Sequence, residues 1–200
     1  MSTNPSRPAA PRATPPIRIK DSALTRRRIL DAAIREFSAA GLAGARVDRI
    51  AEGAGANKAM IYRYFGSKDQ LFDAVFDAIV VATVDAVPMD AEDLPGYAIA
   101  LLEQDRRQPD ILRIATWDRL ERDGAGKRLP SVVAATQTKI DAIRAAQDAG
   151  KLTTAFPPET VLSIVISLSQ TPLGAIDTPQ SSRWVEAAVQ SVLRDHQPPP

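Results

Sequence analysis

Lys58, Tyr62 and Arg63 lie within six residues of one another, with Ala59 and Met60 between them. On one short helix this set presents two cations, an aromatic ring and two compact apolar groups. Lys and Arg reach phosphates or guanine edges, and apolar groups touch a thymine methyl, so the combination suits a phosphate-lined groove. A solvated helix would more often carry Glu and Gln there. The residues that could catalyse a reaction are scarce by comparison. There is no Cys, which removes thiol nucleophiles, thiolate metal sites and disulfides. The sole histidine, His196, stands beside the terminal Pro198–Pro200 run and reads as solvated tail. No ExxH spacing, phosphate-binding glycine loop or nucleophile elbow is present, so neither metal nor cofactor is implied. An all-α enzyme working with Asp and Glu alone is the remote alternative.

Two helices must hold that set in place. From Val47 to Phe65 the spacing predicts a pair of short helices crossing at a tight turn, with Ile50, Ala54, Ala56, Ile61 and Tyr64 inward and the small Ala51 at their contact. Gly55 falls at the turn, where a positive φ is expected. Asn57 offers a side-chain oxygen to cap the second helix, Lys58 to Tyr64. Upstream, Leu30, Ala33, Ile34 and Phe37 form an i, i+3, i+4, i+7 stripe that ends at Gly41, as in a bracing helix closed by a glycine. Downstream, Ser67 to Gln70 fits a capping box for a further helix. Taken alone, the pair could be an ordinary αα-hairpin whose cations only keep it soluble; the flanking helices weigh against that.

The block from Leu24 to Ile79 resembles the DNA-binding domain of the tetracycline-repressor (TetR) family of bacterial transcription regulators, most specifically in the run IYRYFGSKDQLF. The resemblance implies that Lys58, Met60, Tyr62 and Arg63 approach bases or phosphates, that Tyr64 can meet the backbone, and that Lys68 caps a phosphate. Asn57 and Ala59 belong to the same surface. The family commonly has Thr where this chain has Arg46. Arg46 can reach a phosphate but has no oxygen with which to cap the second helix.

Charge is distributed as this implies. The formal net charge is only +1, yet residues 1–70 carry 13 Lys and Arg against 6 Asp and Glu, and residues 71–200 carry 12 against 18. The basic end is the end with the helix pair. Residues 1–20 hold five prolines, four cations and no acid, which predicts an extended arm, disordered when free. That arm could follow DNA or stay inert. No signal-peptide apolar region precedes the first helix and the longest apolar stretches are too short to span a bilayer, so a cytoplasmic protein is expected.

Beyond residue 80 the resemblance loosens. Helices are predicted over Gln70–Val87, Leu94–Gln108, Asp110–Arg122, Val132–Gln147, Glu159–Ser169 and Ser182–Asp195, and no strand is. The expected division is an arm (1–20), a helix-turn-helix domain (21–68), a helical effector-binding and dimerisation domain (69–196) and a disordered tail (197–200), all-α throughout. The last two helices are apolar over broad faces, so a second copy of the chain would cover them. Val161, Val165, Leu168, Trp184, Val185, Ala188 and Val192 are the expected interface. Tyr97, Arg113, Trp117 and Asp118 are the candidate effector pocket, as aromatic walls with a few polar groups suit an apolar ligand; core packing for Trp117 and a solvated helix face for Arg113 and Asp118 are the stronger explanation. The resulting expectation is a homodimeric repressor that binds an inverted-repeat operator on double-stranded DNA and is released by a small molecule. Control by a protein partner is the alternative.

Overall fold

The computed structural model describes residues 18–170 and 180–194. Among them the chain forms helices and no strand, in the order α1 (Arg18–Gly44), α2 (Val47–Ala54), α3 (Lys58–Phe65), α4 (Lys68–Ala86), α5 (Leu94–Arg107), α6 (Pro109–Arg122), a 3-10 turn (Ala125–Arg128), α7 (Pro130–Asp148), α8 (Pro158–Ser169) and α9 (Ser181–Leu193). Three prolines of the second half stand at helix starts. Pro109, Pro130 and Pro158 each open a helix, where a fixed φ fits and the missing N–H costs no bond. The expected arm, residues 1–20, is shortened: Arg18 to Lys20 already belong to α1, and residues 1–17 lie outside the described set. So do His196 and the tail from 197 to 200.

Two apolar cores organise these elements. The first gathers Ile29, Ala33 and Phe37 of α1, Ile50 and Ala54 of α2, Ile61 and Phe65 of α3, and Leu71, Phe72, Val75 and Phe76 of α4. Phe37 meets Phe72 edge-on, ring centroids 5.0 Å apart. This core does not stop at Lys68, for Ile114 of α6 and Val132 of α7 close it. The second core packs Leu94, Tyr97 and Leu102 of α5 against Ile140 and Ile143 of α7, Val161, Leu162 and Val165 of α8, and Val185 and Val189 of α9. The small N-terminal unit is thus fused to the body through α4 and α6.

α1 changes course at Gly41, whose φ of 69° and ψ of −177° interrupt the helix. The break frees the amides of Leu42 and Ala43, and both donate to Glu121 Oε2 of α6, at 2.6 and 3.0 Å. A Cβ on Gly41 would lie 2.7 Å from Glu121 Oε1 and 2.9 Å from the Trp117 ring, so glycine is required here for space as well as for φ. Trp117 Nε1 donates to Ser38 O, and Ser38 Oγ donates to Asp110. α6 therefore grips the end of α1 at three points.

Candidate nucleic-acid interface

The interface is built on α3, which at eight residues is too short to persist alone and depends on its ends and its buried face. Gly55, with φ 58° and ψ 40°, turns the chain out of α2. Asn57 Oδ1 then accepts from Met60 N at 2.8 Å, capping α3 as its position predicts. Ile61 and Phe65 anchor the helix in the first core. Gly66 closes it, and Ser67 Oγ accepts from Gln70 N to start α4.

The opposite face is open. Lys58, Ala59, Tyr62 and Arg63 are exposed and Met60 is half-buried, Tyr62 retaining 42% of its accessible surface. Lys58 Nζ pairs with Asp48 of α2 at 3.1 Å, at a site open to water on both sides. Arg46 and Arg49, at the front of α2, are exposed as well. Arg49 was not singled out by the sequence pattern. α3 and the front of α2 thus expose Arg46, Arg49, Lys58 and Arg63 together with the Tyr62 phenol, groups that suit a phosphate-lined groove.

Two expected contacts have other partners. Tyr64 is only half-buried, and its hydroxyl lies 3.0 Å from Ser22 Oγ, tying α3 to the start of α1. Phe65, one residue on, takes the deeper place. Lys68 Nζ donates to Ala45 O at 3.2 Å and to Ala43 O at 3.5 Å, so the ammonium caps the end of α1 and has one proton left for a phosphate. Arg46, as expected, gives its helix no side-chain cap.

Of the four candidate pocket residues, Arg113, Trp117 and Asp118 stand together on α6, while Tyr97 of α5 belongs to the second core. Tyr97 is buried in the second core beneath Lys139. Trp117 packs on the first core and holds Ser38. Asp118 is 1% exposed, accepts from Gly126 N with both carboxylate oxygens, and pairs with Arg122. Arg113 is exposed. Packing and polar satisfaction account for the three buried or half-buried ones. A groove of about 480 Å³ does lie between α1, α4 and the α5–α6 corner, with Leu30, Ile34 and Ile79 as walls. Its charges cancel, Arg27 and Arg107 against Asp31 and Asp110.

The interface set divides similarly. Val161, Val165 and Val185 face their own core and cannot meet a second copy. Trp184 is 52% exposed, and Leu168, Ala188 and Val192 are half-buried. Beside them an open groove of about 480 Å³ runs along α8, lined by Thr160, Ile164, Ser167 and Leu168 among others.

A capped, solvent-facing helix of cations and an aromatic ring, mounted through a turn on a buried partner helix and fused to a larger helical body, defines a helix-turn-helix transcription regulator. Comparison with known proteins agrees. Residues 29–75 match the family described as bacterial regulatory proteins, tetR family, and residues 93–195 match the tetracyclin repressor-like C-terminal domain. The chain is 34% identical to the HTH-type transcriptional repressor SCO4008 of Streptomyces coelicolor over 167 residues, covering 82% of this chain and 84% of that protein. It is 38% identical to the HTH-type transcriptional repressor NicS of Pseudomonas putida over 87 residues, 44% of this chain and 41% of that one. Among solved structures, SCO4942 of Streptomyces coelicolor, described as a transcriptional regulator, superposes with a TM-score of 0.75 at 35% identity, covering 85% of this chain and 98% of that one. The chain belongs to the TetR family. It is a DNA-binding regulator rather than an enzyme, and no helix among the described residues is long and apolar enough to cross a membrane.

Proposed function

We propose that this protein is a cytoplasmic repressor acting as a homodimer, that it binds an inverted-repeat operator through two copies of α3, and that a small molecule in the body releases it. The observation that carries the reading is α3 itself: capped, anchored by Ile61 and Phe65, and offering Lys58, Tyr62 and Arg63 to solvent. Lys58, Arg63 and Arg46 take phosphates or guanine edges, Ala59 and Met60 take thymine methyls, and Tyr62 takes either a base edge or a phosphate. Asn57 and Tyr64 chiefly hold the helix, and Lys68 combines its capping role with one phosphate contact.

Two relatives named as repressors support the sign of regulation. The outward sides of α8 and α9, with Ile164, Leu168, Trp184, Ala188 and Val192, support a two-fold dimer that sets two reading helices about 34 Å apart or a multiple of it. The grip of α6 on α1 supports the response. A ligand that shifts α6 moves Glu121 and Trp117, and with them the end of α1 on which the reader is built.

The test uses duplexes enriched by the protein from a randomised library. Binding that falls steeply with salt on an inverted repeat is expected, and affinity for the enriched duplex no better than for bulk competitor would refute the reading. A thermal-shift screen of metabolites, followed by DNA release, tests the response. Stabilisation by a protein partner with no responding metabolite would favour the alternative control.

A further inference from the structure

Arg28, Ala32 and Glu36 of α1 are spaced i, i+4, i+8 and form one row along the helix. The middle residue is 4% exposed, and a side chain added at Gly53 of α2 would begin 3.5 Å from it, so the two helices touch closely there. The outer residues reach the two ends of α2. At the front, Glu36 Oε1 accepts from Arg46 N at 2.9 Å, with the Arg49 guanidinium 3.8 Å from the same oxygen. At the back, Arg28 donates from Nε and Nη2 to Ala54 O at 2.9 and 2.5 Å, and from Nη2 to Gly55 O at 2.9 Å. Eight residues separate Arg28 from Glu36 and α2 is eight residues long, so each span measures about 12 Å and the helices run in opposite senses.

An acid thereby meets the positive end of the α2 dipole and a base meets the negative end. Both also satisfy backbone groups a short helix would leave bare. The front end has particular need of this, since Arg46 supplies no side-chain cap. At the back, the guanidinium rests against the turn itself: a Cβ on Gly55 would lie 2.7 Å from Arg28 Nη2.

We propose that Arg28 and Glu36 are paired positioning residues for DNA reading, holding α2 at both ends so that Gly55 delivers α3 at a fixed angle. This rests on α3 being the reading helix. Arg28 then contributes no phosphate contact, as its Nε and Nη2 are committed to the carbonyls of Ala54 and Gly55. Glu36 improves binding although it is an acid on a surface that meets a polyanion. Simple charge counting requires the reverse for both.

The experiment measures the affinity of the full chain for a duplex enriched by the wild type from a randomised library, and for an unrelated duplex, across a salt series. Variants are Arg28→Ala, Arg28→Lys, Glu36→Gln and, as a reading control, Lys58→Ala. Arg28→Ala and Glu36→Gln should each weaken specific binding by about three- to tenfold, the range expected of a charge at a helix end. The salt slope should stay at the wild-type value, and binding to the unrelated duplex should change by less than about twofold. Arg28→Lys, which keeps the charge but loses the fork, should fall between, and it carries the test if Arg28→Ala fails to fold. Tighter binding by Glu36→Gln, wild-type specific affinity in both lines, or a slope reduced by about 0.9 in Arg28→Ala would overturn the proposal. Lys58→Ala separates the two levels. If it lowers the slope while the clamp variants stay silent, the clamp alone fails; if it too behaves as wild type, the assignment of α3 fails first.

Discussion

Lys58 is the proposed DNA contact whose loss is simplest to interpret. Its ion pair with Asp48 is exposed on both sides, and such pairs are worth at most about 1 kcal/mol, so exchanging the carboxylate for a phosphate costs little. Lys58→Ala should leave thermal stability nearly unchanged and lower the slope of log affinity against log salt by about 0.9, one phosphate contact. An unaltered slope would assign Lys58 to the surface ion pair alone. Asp105 gives a residue-scale prediction in the body. It continues the inward row of Ala98, Leu101 and Leu102 on α5, and burial raises its carboxyl from 3.8 to about 6. The folded chain holds a proton there that the unfolded chain releases between about pH 4 and 6. Stability therefore falls as pH rises through that window, and the penalty persists above it. Asp105→Asn should be more stable than wild type at pH 7.5 by about 1 kcal/mol, once partial exposure is discounted, and the gain should vanish below about pH 4. Melting curves of the two proteins across pH check both sign and window.

Elements as short as α2 and α3 depend on their ends as well as their buried faces, and the ends explain how legible the reader is. Gly55, Asn57 and Ser67 act on groups within a few residues of themselves, so their roles could be read from neighbouring letters. Glu121 acts on amides 78 and 79 residues away, and Arg28 on carbonyls 26 and 27 away. Nothing in local spacing announces such partners. Gly41 shows both limits: the sequence marks it as the stop of a helix, while only the fold shows that Trp117 and Glu121 fill the space where its side chain would stand. Gly41→Ala must therefore force both neighbours aside and strain φ. Urea unfolding should show a loss of about 2–4 kcal/mol, combining overpacking with a left-handed non-glycine residue. The released amides of Leu42 and Ala43 should exchange faster with solvent deuterium. Wild-type stability would mean that α6 does not grip α1 as described.

At the scale of the whole molecule, the difficulty was orientation rather than composition. α8 and α9 were recognisable as apolar helices, yet a helix apolar over most of its circumference does not declare which side faces its own core. Val161, Val165 and Val185 turned inward, while Ile164, Leu168 and Trp184 were left partly or largely open. The likeness of these residues in a linear reading hides opposite fates on substitution. Val165→Asp places a charge in a fully buried site and should unfold the body, because an unpaired buried carboxylate costs several kcal/mol. Trp184→Arg alters a residue already half in water, so the protomer should keep its helicity and its melting cooperativity. If α8 and α9 form the dimer, this change should leave a monomer in sedimentation at micromolar concentration. The reader of that monomer stays intact, and binding to a single half-site should be preserved. Binding to the full inverted repeat should drop about a hundredfold or more, because the second reader no longer arrives at high effective concentration. Loss of half-site binding along with the dimer would instead show that the reader depends on the partner for its own fold, and a dimer that survives Trp184→Arg would move the interface to another face.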